Sequence, residues 1–146
     1  MAKVSTYLNF ERNTEDAFNF YKTVFGGEFG GNGIMRFKDI PSSGEGPKLP
    51  EGDTNLVMHV ELTTIGGHVL MGTDAPDTMG FNVSFGNNMN INLEPDTRAE
   101  TKDLFDKLSA GGRVTMPLED MFWGDYFGSC TDKFGVHWMF NCSEKA

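Results

Sequence analysis

His59 and Glu61 lie in the run Val57-Met58-His59-Val60-Glu61-Leu62, whose length and residue types suit a strand. Successive strand side chains leave on opposite sides, so Met58, Val60 and Leu62 turn to one face and His59 and Glu61 share the other. A carboxylate beside an imidazole can orient the ring and hold its proton, the arrangement of a general base. The same spacing also serves a buried structural hydrogen bond, and the residues leave both uses open. His137 is similarly placed in a strand-like run but has no carboxylate neighbour there, and His68 sits at a glycine turn where solvation is expected. Trp123, Asp125 and Tyr126 fall in a hairpin region, and an aromatic wall there suits a small, partly apolar ligand. Ordinary core packing is the competing use for both Trp123 and Trp138. Cys130 and Cys142 have no adjacent cation or glycine-rich elbow to activate a thiolate, so they read as buried, reduced, small apolar residues.

The elements that must position these groups follow from hydrophobic periodicity. Residues 3–10 alternate, with Val4, Leu8 and Phe10 on one face and Ser5, Tyr7 and Asn9 on the other. Asn13 or Thr14 can cap a helix striped by Ala17, Phe18, Tyr21, Val24 and Phe25, which ends at Gly26-Gly27. Residues 28–38 read as a weak strand and 39–54 as a Pro- and Gly-rich loop. Strands at 57–62 and 68–73 flank the turn Gly66-Gly67. The second half repeats the order. Met89, Ile91 and Leu93 alternate with Asn88, Asn90 and Asn92, then Thr97-Arg98-Ala99-Glu100 is a capping box for a helix through Leu104, Phe105 and Leu108, ending at Gly111-Gly112. Strand-like segments follow at 113–122, 126–131 and 136–141. The reading is an internal duplication of a βαβββ unit in one domain of residues 1–146, with modules at 1–75 and 86–146 and an insertion at 39–54. The predicted class is α+β.

Composition limits the partners. The 146 residues carry 12 basic and 21 acidic side chains, a formal charge of -9, and 13 Phe and 9 Met supply ample apolar bulk for a folded core. An acidic surface repels phosphate backbones and anionic lipid, so neither nucleic acid nor a membrane is expected as a partner. Glu15, Asp16, Glu119 and Asp120 are expected on solvated surface. The absence of a long apolar run and of a signal-peptide core at the N-terminus leads to the expectation of a cytoplasmic protein. Gly30-Gly31-Asn32-Gly33 invites a phosphate-loop reading, but no Lys-Ser/Thr follows and GxGxxG is absent, so it reads as a loop.

The duplicated unit, with Tyr7-Leu-Asn-Phe10, Phe20-Tyr-Lys-Thr-Val-Phe-Gly26, His59, Leu70-Met71 with Asp74-Ala-Pro76, Phe122-Trp-Gly124, and Thr131-Asp-Lys-Phe-Gly-Val136 with Trp138-Met139, resembles the PhnB-like branch of the vicinal oxygen chelate superfamily. That superfamily includes glyoxalase I, extradiol dioxygenases and the bleomycin and fosfomycin resistance proteins. The resemblance spans nearly the whole chain. It implies mixed sheets curling into a cup with helices on the convex side, a ligand in the concavity, and a homodimer. The branch commonly carries the label 3-demethylubiquinone-9 3-methyltransferase domain, yet there is no glycine-rich nucleotide turn after the first strand to support methyl transfer.

In metal-dependent relatives, the resemblance further implies, the ligands are His or Gln, Glu, His and Glu on the first and last strands of each module. Here the two carboxylate positions hold Met71 and Met139, and the first and fifth strands offer Ser5 and Asn88, within two residues, where imidazoles are expected. Such a set lacks charged or strongly basic donors, so no Zn, Fe, Mn or Ni and no other cofactor is expected. A soft Cu(I) site at the methionines is the other use, against packing by two adaptable side chains. The expectation is a small organic ligand lined by Tyr7, Asn9, Met71, Asn90, Trp123, His137 and Met139, with His59 and Glu61 as the candidate catalytic pair. Metal-independent isomerase or lyase chemistry is the alternative to simple binding.

Overall fold

The computed structural model describes residues 1–40 and 49–146. The chain forms two compact units, Met1–Ser84 and Phe85–Ala146. The first contains β1 (Thr6–Phe10), α1 (Thr14–Phe25), β2 (Met35–Arg36), β3 (Val57–Thr63) and β4 (Val69–Asp74). The second contains β5 (Ile91–Leu93), α2 (Arg98–Ser109), β6 (Arg113–Asp120), β7 (Tyr126–Thr131) and β8 (His137–Cys142). The sheets run β1-β4-β3-β2 and β5-β8-β7-β6, the same order twice. In each, the first strand pairs parallel with the last and the remaining pairs are antiparallel. This is an α+β fold of two βαβββ modules with mixed sheets.

Alternation sets which face of each sheet meets its helix. In the first unit Phe10, Val60, Leu62 and Leu70 are buried together with Ala17, Phe18, Tyr21 and Val24 of α1. A Cβ at Gly72 would collide with the Phe18 ring, so glycine there lets the helix seat directly on β4. In the second unit Leu93, Trp138 and Phe140 are buried with Leu104, Phe105 and Leu108 of α2. The helix ends differ. Thr97 Oγ1 accepts from the Glu100 amide at 3.1 Å, as the capping box predicts, whereas the Asn13 side chain makes no cap bond. Its place is taken by Asp74, a buried carboxylate whose Oδ1 accepts from the Thr14 amide at 3.0 Å and whose Oδ2 accepts from the Val57 amide at 2.8 Å.

Several local expectations need correction. The weak strand at 28–38 reduces to Met35–Arg36 and one bridge, Phe29 to Leu62, because the intervening glycines take turn geometry, Gly31 at φ 58 and Gly33 at φ 74. The alternation at 88–93 yields a strand only over Ile91–Leu93; Met89 and Val4, read as buried partners, are exposed. Of the 39–54 loop, residues 41–48 lie outside the described residues, and Glu51–Asp53 forms a single 3-10 turn. The Glu15 and Asp120 side chains are exposed, as expected, and each is also paired. Glu15 takes both Arg36 nitrogens at 2.9 Å, and Asp120 takes both Arg98 nitrogens at 2.7 and 3.1 Å. His68 is not free in solvent, since its Nε2 lies 2.8 Å from Thr6 Oγ1. Cys130 and Cys142 are free and buried, and burial pushes the Cys130 thiol up to about 12. Among the described residues no helix is long and apolar enough to cross a membrane.

Two predictions follow the buried carboxylates. Asp74→Ala leaves two amides without acceptors at the foot of β3 and α1, and urea unfolding is expected to show a loss of about 2–4 kcal/mol, with Asp74→Asn losing less. Asp53 is buried beneath Arg12, which donates at 2.7 Å, and Thr78. The Arg12 guanidinium, and secondarily the Thr78 hydroxyl, hold the Asp53 carboxyl below its ordinary 3.8. A depressed carboxyl contributes stability above its unfolded-state pKa and loses it as pH falls through the folded one. Arg12→Gln is therefore expected to be less stable than the parent at neutral pH, with the gap closing in acid below the ordinary aspartate range. A gap that stayed constant through that range would refute the linkage.

Candidate functional site

Because Val60 and Leu62 face α1, His59 and Glu61 leave β3 on the opposite side, and each side chain is 30% exposed. The same parity puts Met71 and Thr73 of β4, and Tyr7 and Asn9 of β1, on that side. Strand register then builds rows. Tyr7 pairs with Met71 and Met71 with Glu61, so phenol, thioether and carboxylate stand side by side across three strands. Asn9 pairs with Thr73 one step along, and His59 pairs with Met35 at the sheet edge.

Tyr7 Oη lies 3.3 Å from His59 Nδ1, with ring centroids 5.9 Å apart. His59 Nε2 lies 3.6 Å from Glu61 Oε2, within ion-pair reach but beyond a hydrogen bond. Burial lifts the Tyr7 hydroxyl above the 10.0 of an ordinary phenol, against a smaller lowering by the Thr73 hydroxyl. The phenol therefore stays protonated at neutral pH, and it donates to Nδ1 in the tautomer whose Nδ1 is unprotonated. In the neutral imidazole this places the ring proton on Nε2, toward Glu61. Hydroxyl, imidazole and carboxylate thus stand in one polar line, hydrogen-bonded from Tyr7 to His59 and within ion-pair reach from His59 to Glu61.

A contribution that sequence reasoning missed comes from Gly30. Its amide donates to the Glu61 carbonyl at 3.0 Å, and a Cβ there would stand 2.9 Å from Glu61 Oε1 and 3.1 Å from Cγ. The glycine cluster is a close-approach wall for the Glu61 side chain. A glycine beside strand-like residues is the signal that could have found it.

In the second unit the equivalent row is Asn92, Met139 and Ser129. Asn92, not Asn88, stands across from Met139, as Tyr7 rather than Ser5 stands across from Met71. Asn90 is exposed and outside β5. His137 shares the Met139 side of β8, but both ring nitrogens are engaged: Nδ1 lies 2.9 Å from Thr131 Oγ1 and Nε2 2.7 Å from the Gly86 carbonyl. With Nε2 donating and Nδ1 accepting, it fastens the segment before β5 to β8. Trp123 is half-exposed in the turn between β6 and β7, edge-on to Phe122 and Phe127. Nearby Asp125 accepts from Asn141 Nδ2 at 3.0 Å. The structure thus gathers Tyr7, Asn9, His59, Glu61 and Met71 on one face of the first unit. In the second it places Met139 and His137 on one strand face, with Asn90 and Trp123 outside that row.

The metal implied by the superfamily resemblance can be tested on the donors. Tyr7 and Met71, and Asn92 and Met139, supply phenol, thioether and amide where imidazole and carboxylate are required. Among the described residues no three His, Cys, Asp or Glu side chains come together as a metal-holding group. These residues do not fit a divalent zinc, iron, manganese or nickel ion.

The chain matches the family described as 3-demethylubiquinone-9 3-methyltransferase over residues 2–140. It is 31% identical over 144 residues to protein YjdN of Escherichia coli, covering 94% of this chain and 93% of that one. The solved structure of protein PA1353 from Pseudomonas aeruginosa is similar across 100% of both chains, with a TM-score of 0.81 and 32% identity. A PhnB protein from Bacillus cereus aligns over 97% of this chain and 99% of its own, with a TM-score of 0.72 and 29% identity. The fold alone is shared with a glyoxalase/bleomycin resistance protein/dioxygenase family enzyme from Burkholderia phytofirmans, with a TM-score of 0.59 and 16% identity over 95% and 98% of the two chains. The chain belongs to the 3-demethylubiquinone-9 3-methyltransferase family, the PhnB-like branch with the glyoxalase/bleomycin resistance fold.

Proposed function

We propose that this protein binds a small organic molecule, without a metal ion, on the sheet face that carries Tyr7, Asn9, His59, Glu61 and Met71. The observation behind this reading is the line from Tyr7 Oη through His59 to Glu61, at 3.3 and 3.6 Å, set beside the Met71 and Met35 thioethers. Three different polar groups on a half-open face give direction, and adaptable thioethers give apolar contact, the mixture a small-molecule site needs. His137 is assigned an anchoring role, since both its nitrogens are engaged within the second unit. Methyl transfer, the activity in the family's name, finds no support in the first βα turn, Glu11-Arg12-Asn13, which has no glycine to approach a nucleotide. A cytoplasmic location and a homodimeric state are part of the same proposal. Two free, buried cysteines support the first point, and the exposed Val114, Met116, Phe122 and Trp123 along β6 and its turn support the second.

A second reading is favoured by one specific observation. Tyr7 donates to Nδ1 and so directs the Nε2 proton at Glu61, which suits His59 to move a proton in isomerase or lyase chemistry.

A thermal-shift screen against a broad metabolite library is expected to find compounds that raise the melting temperature. Tyr7→Phe and His59→Ala should each weaken the best of them about tenfold. No stabilising compound, or unchanged affinity in both variants, would sink the binding reading. If the compound is turned over, His59→Ala should abolish conversion while binding persists; conversion that survives would remove His59 from the chemistry. Elemental analysis of the purified protein is expected to show no stoichiometric transition metal, and about one tightly held ion per chain would overturn the metal-free site.

A further inference from the structure

We propose that the ligand of this face carries a cationic nitrogen, a protonated amine or ammonium group, received by the Glu61 carboxylate. The inference rests on the reading of the Tyr7, His59 and Glu61 face as a binding site and adds the chemical class of what it binds.

Asp74 accepts two backbone amides, one on each oxygen. Asp132 accepts the Phe134 and Val136 amides on Oδ1 and the Trp138 indole N–H on Oδ2. Asp53 is met by Arg12 and Thr78. Glu61 is 70% shielded, yet its carboxylate meets His59 Nε2 only at 3.6 Å, within ion-pair reach and beyond hydrogen-bond distance. Several cations of the same unit are committed elsewhere: Arg12 to Asp53 and Asp77, Lys22 to Glu28, and Arg36 to Glu15. Glu61 is nevertheless held in place, because Gly30 packs against its carboxylate and donates to its carbonyl.

The neighbouring donors point inward. The Tyr7 hydroxyl is shared between His59 Nδ1 and the Thr73 hydroxyl, and in the tautomer that accepts from Tyr7 the His59 ring proton faces Glu61. What the row offers a ligand is therefore acceptor capacity and negative charge, flanked by the half-exposed Tyr7 ring and by thioethers. An aromatic face and polarisable sulfur both suit a cation. An anionic ligand would meet like charge, and a neutral one would forgo the charge-assisted hydrogen bond.

The test uses three matched probe sets, with benzylamine, cyclohexylamine and 2-phenylethylamine as the amines and the corresponding alcohols and carboxylates as controls. Binding is followed by amide shifts of the ¹⁵N-labelled full chain at neutral pH. At least one amine is expected to shift Gly30, Glu61 and Met71 and to bind about tenfold tighter than its alcohol, with its carboxylate weaker still. Glu61→Gln should abolish that preference without lowering the melting temperature, because the carboxylate makes no hydrogen bond within the described fold. Gly30→Ala, which displaces the carboxylate, should weaken the amine but not the alcohol. If alcohols or carboxylates bind this face as tightly as the amines, or Glu61→Gln keeps the preference, the cation assignment is overturned while the binding site stands. If no probe from any set shifts these residues, the assignment and the binding reading both fail.

Discussion

Two backbone amides that belong to different elements end on the same buried carboxylate. Asp74 closes β4, and its two oxygens receive the first amide of α1 and the first amide of β3. A helix N-terminus carries unpaired N–H groups and positive partial charge, so an ionised acceptor placed there satisfies both needs. Because the same carboxylate holds the start of β3, the helix and the strand that bears His59 and Glu61 are registered against each other through one side chain. The seating of Phe18 over Gly72 acts in the same direction, drawing α1 onto the same face of β4.

Once that frame is set, the duplication separates what geometry repeats from what chemistry changes. Both sheets run in the same strand order, and both present a row of three residues across first, last and third strands with methionine at the centre. In the first unit the flanking residues are Tyr7 and Glu61; in the second they are Asn92 and Ser129. Asn92 and Ser129 carry neither charge nor a titratable proton in the neutral range, and the Ser129 hydroxyl is engaged by Thr115 at 2.6 Å. His137, on the same strand as Met139, ties down residue 86 instead of facing a carboxylate. The titratable side chains of the row thus lie in the first unit although the strand order is the same in both.

Much of the first-unit site was legible from alternation alone. Asn9, His59 and Glu61 each sit between apolar strand neighbours, and burial of those neighbours turns them outward; Tyr7 shares the parity of Asn9, and Met71 is placed by its count of four from Gly67. The tighter details were not legible. Alternation says that His59 and Glu61 share a face, but not that a phenol from a strand 52 residues earlier reaches Nδ1. Nor does it say that the glycine cluster, unreadable as a phosphate loop, packs against Glu61. In the second unit the alternating asparagines overstated β5, since short polar stretches at a strand's start lack the buried contacts that hold them in extended pairing.

The sequence by itself determined the element order, the duplication, the helix stripes and the identity of the residues on each sheet face, because these depend on local periodicity and on where apolar side chains must be hidden. Only the tertiary structure decided which strand stands beside which, and hence that Tyr7, Met71 and Glu61 form one row. It also decided that Asp74 rather than Asn13 caps α1, and that His137 is an anchor while His59 stays available. Those outcomes depend on register between strands distant in the chain, and hydrogen-bond partners brought together by register leave no periodic trace along the sequence.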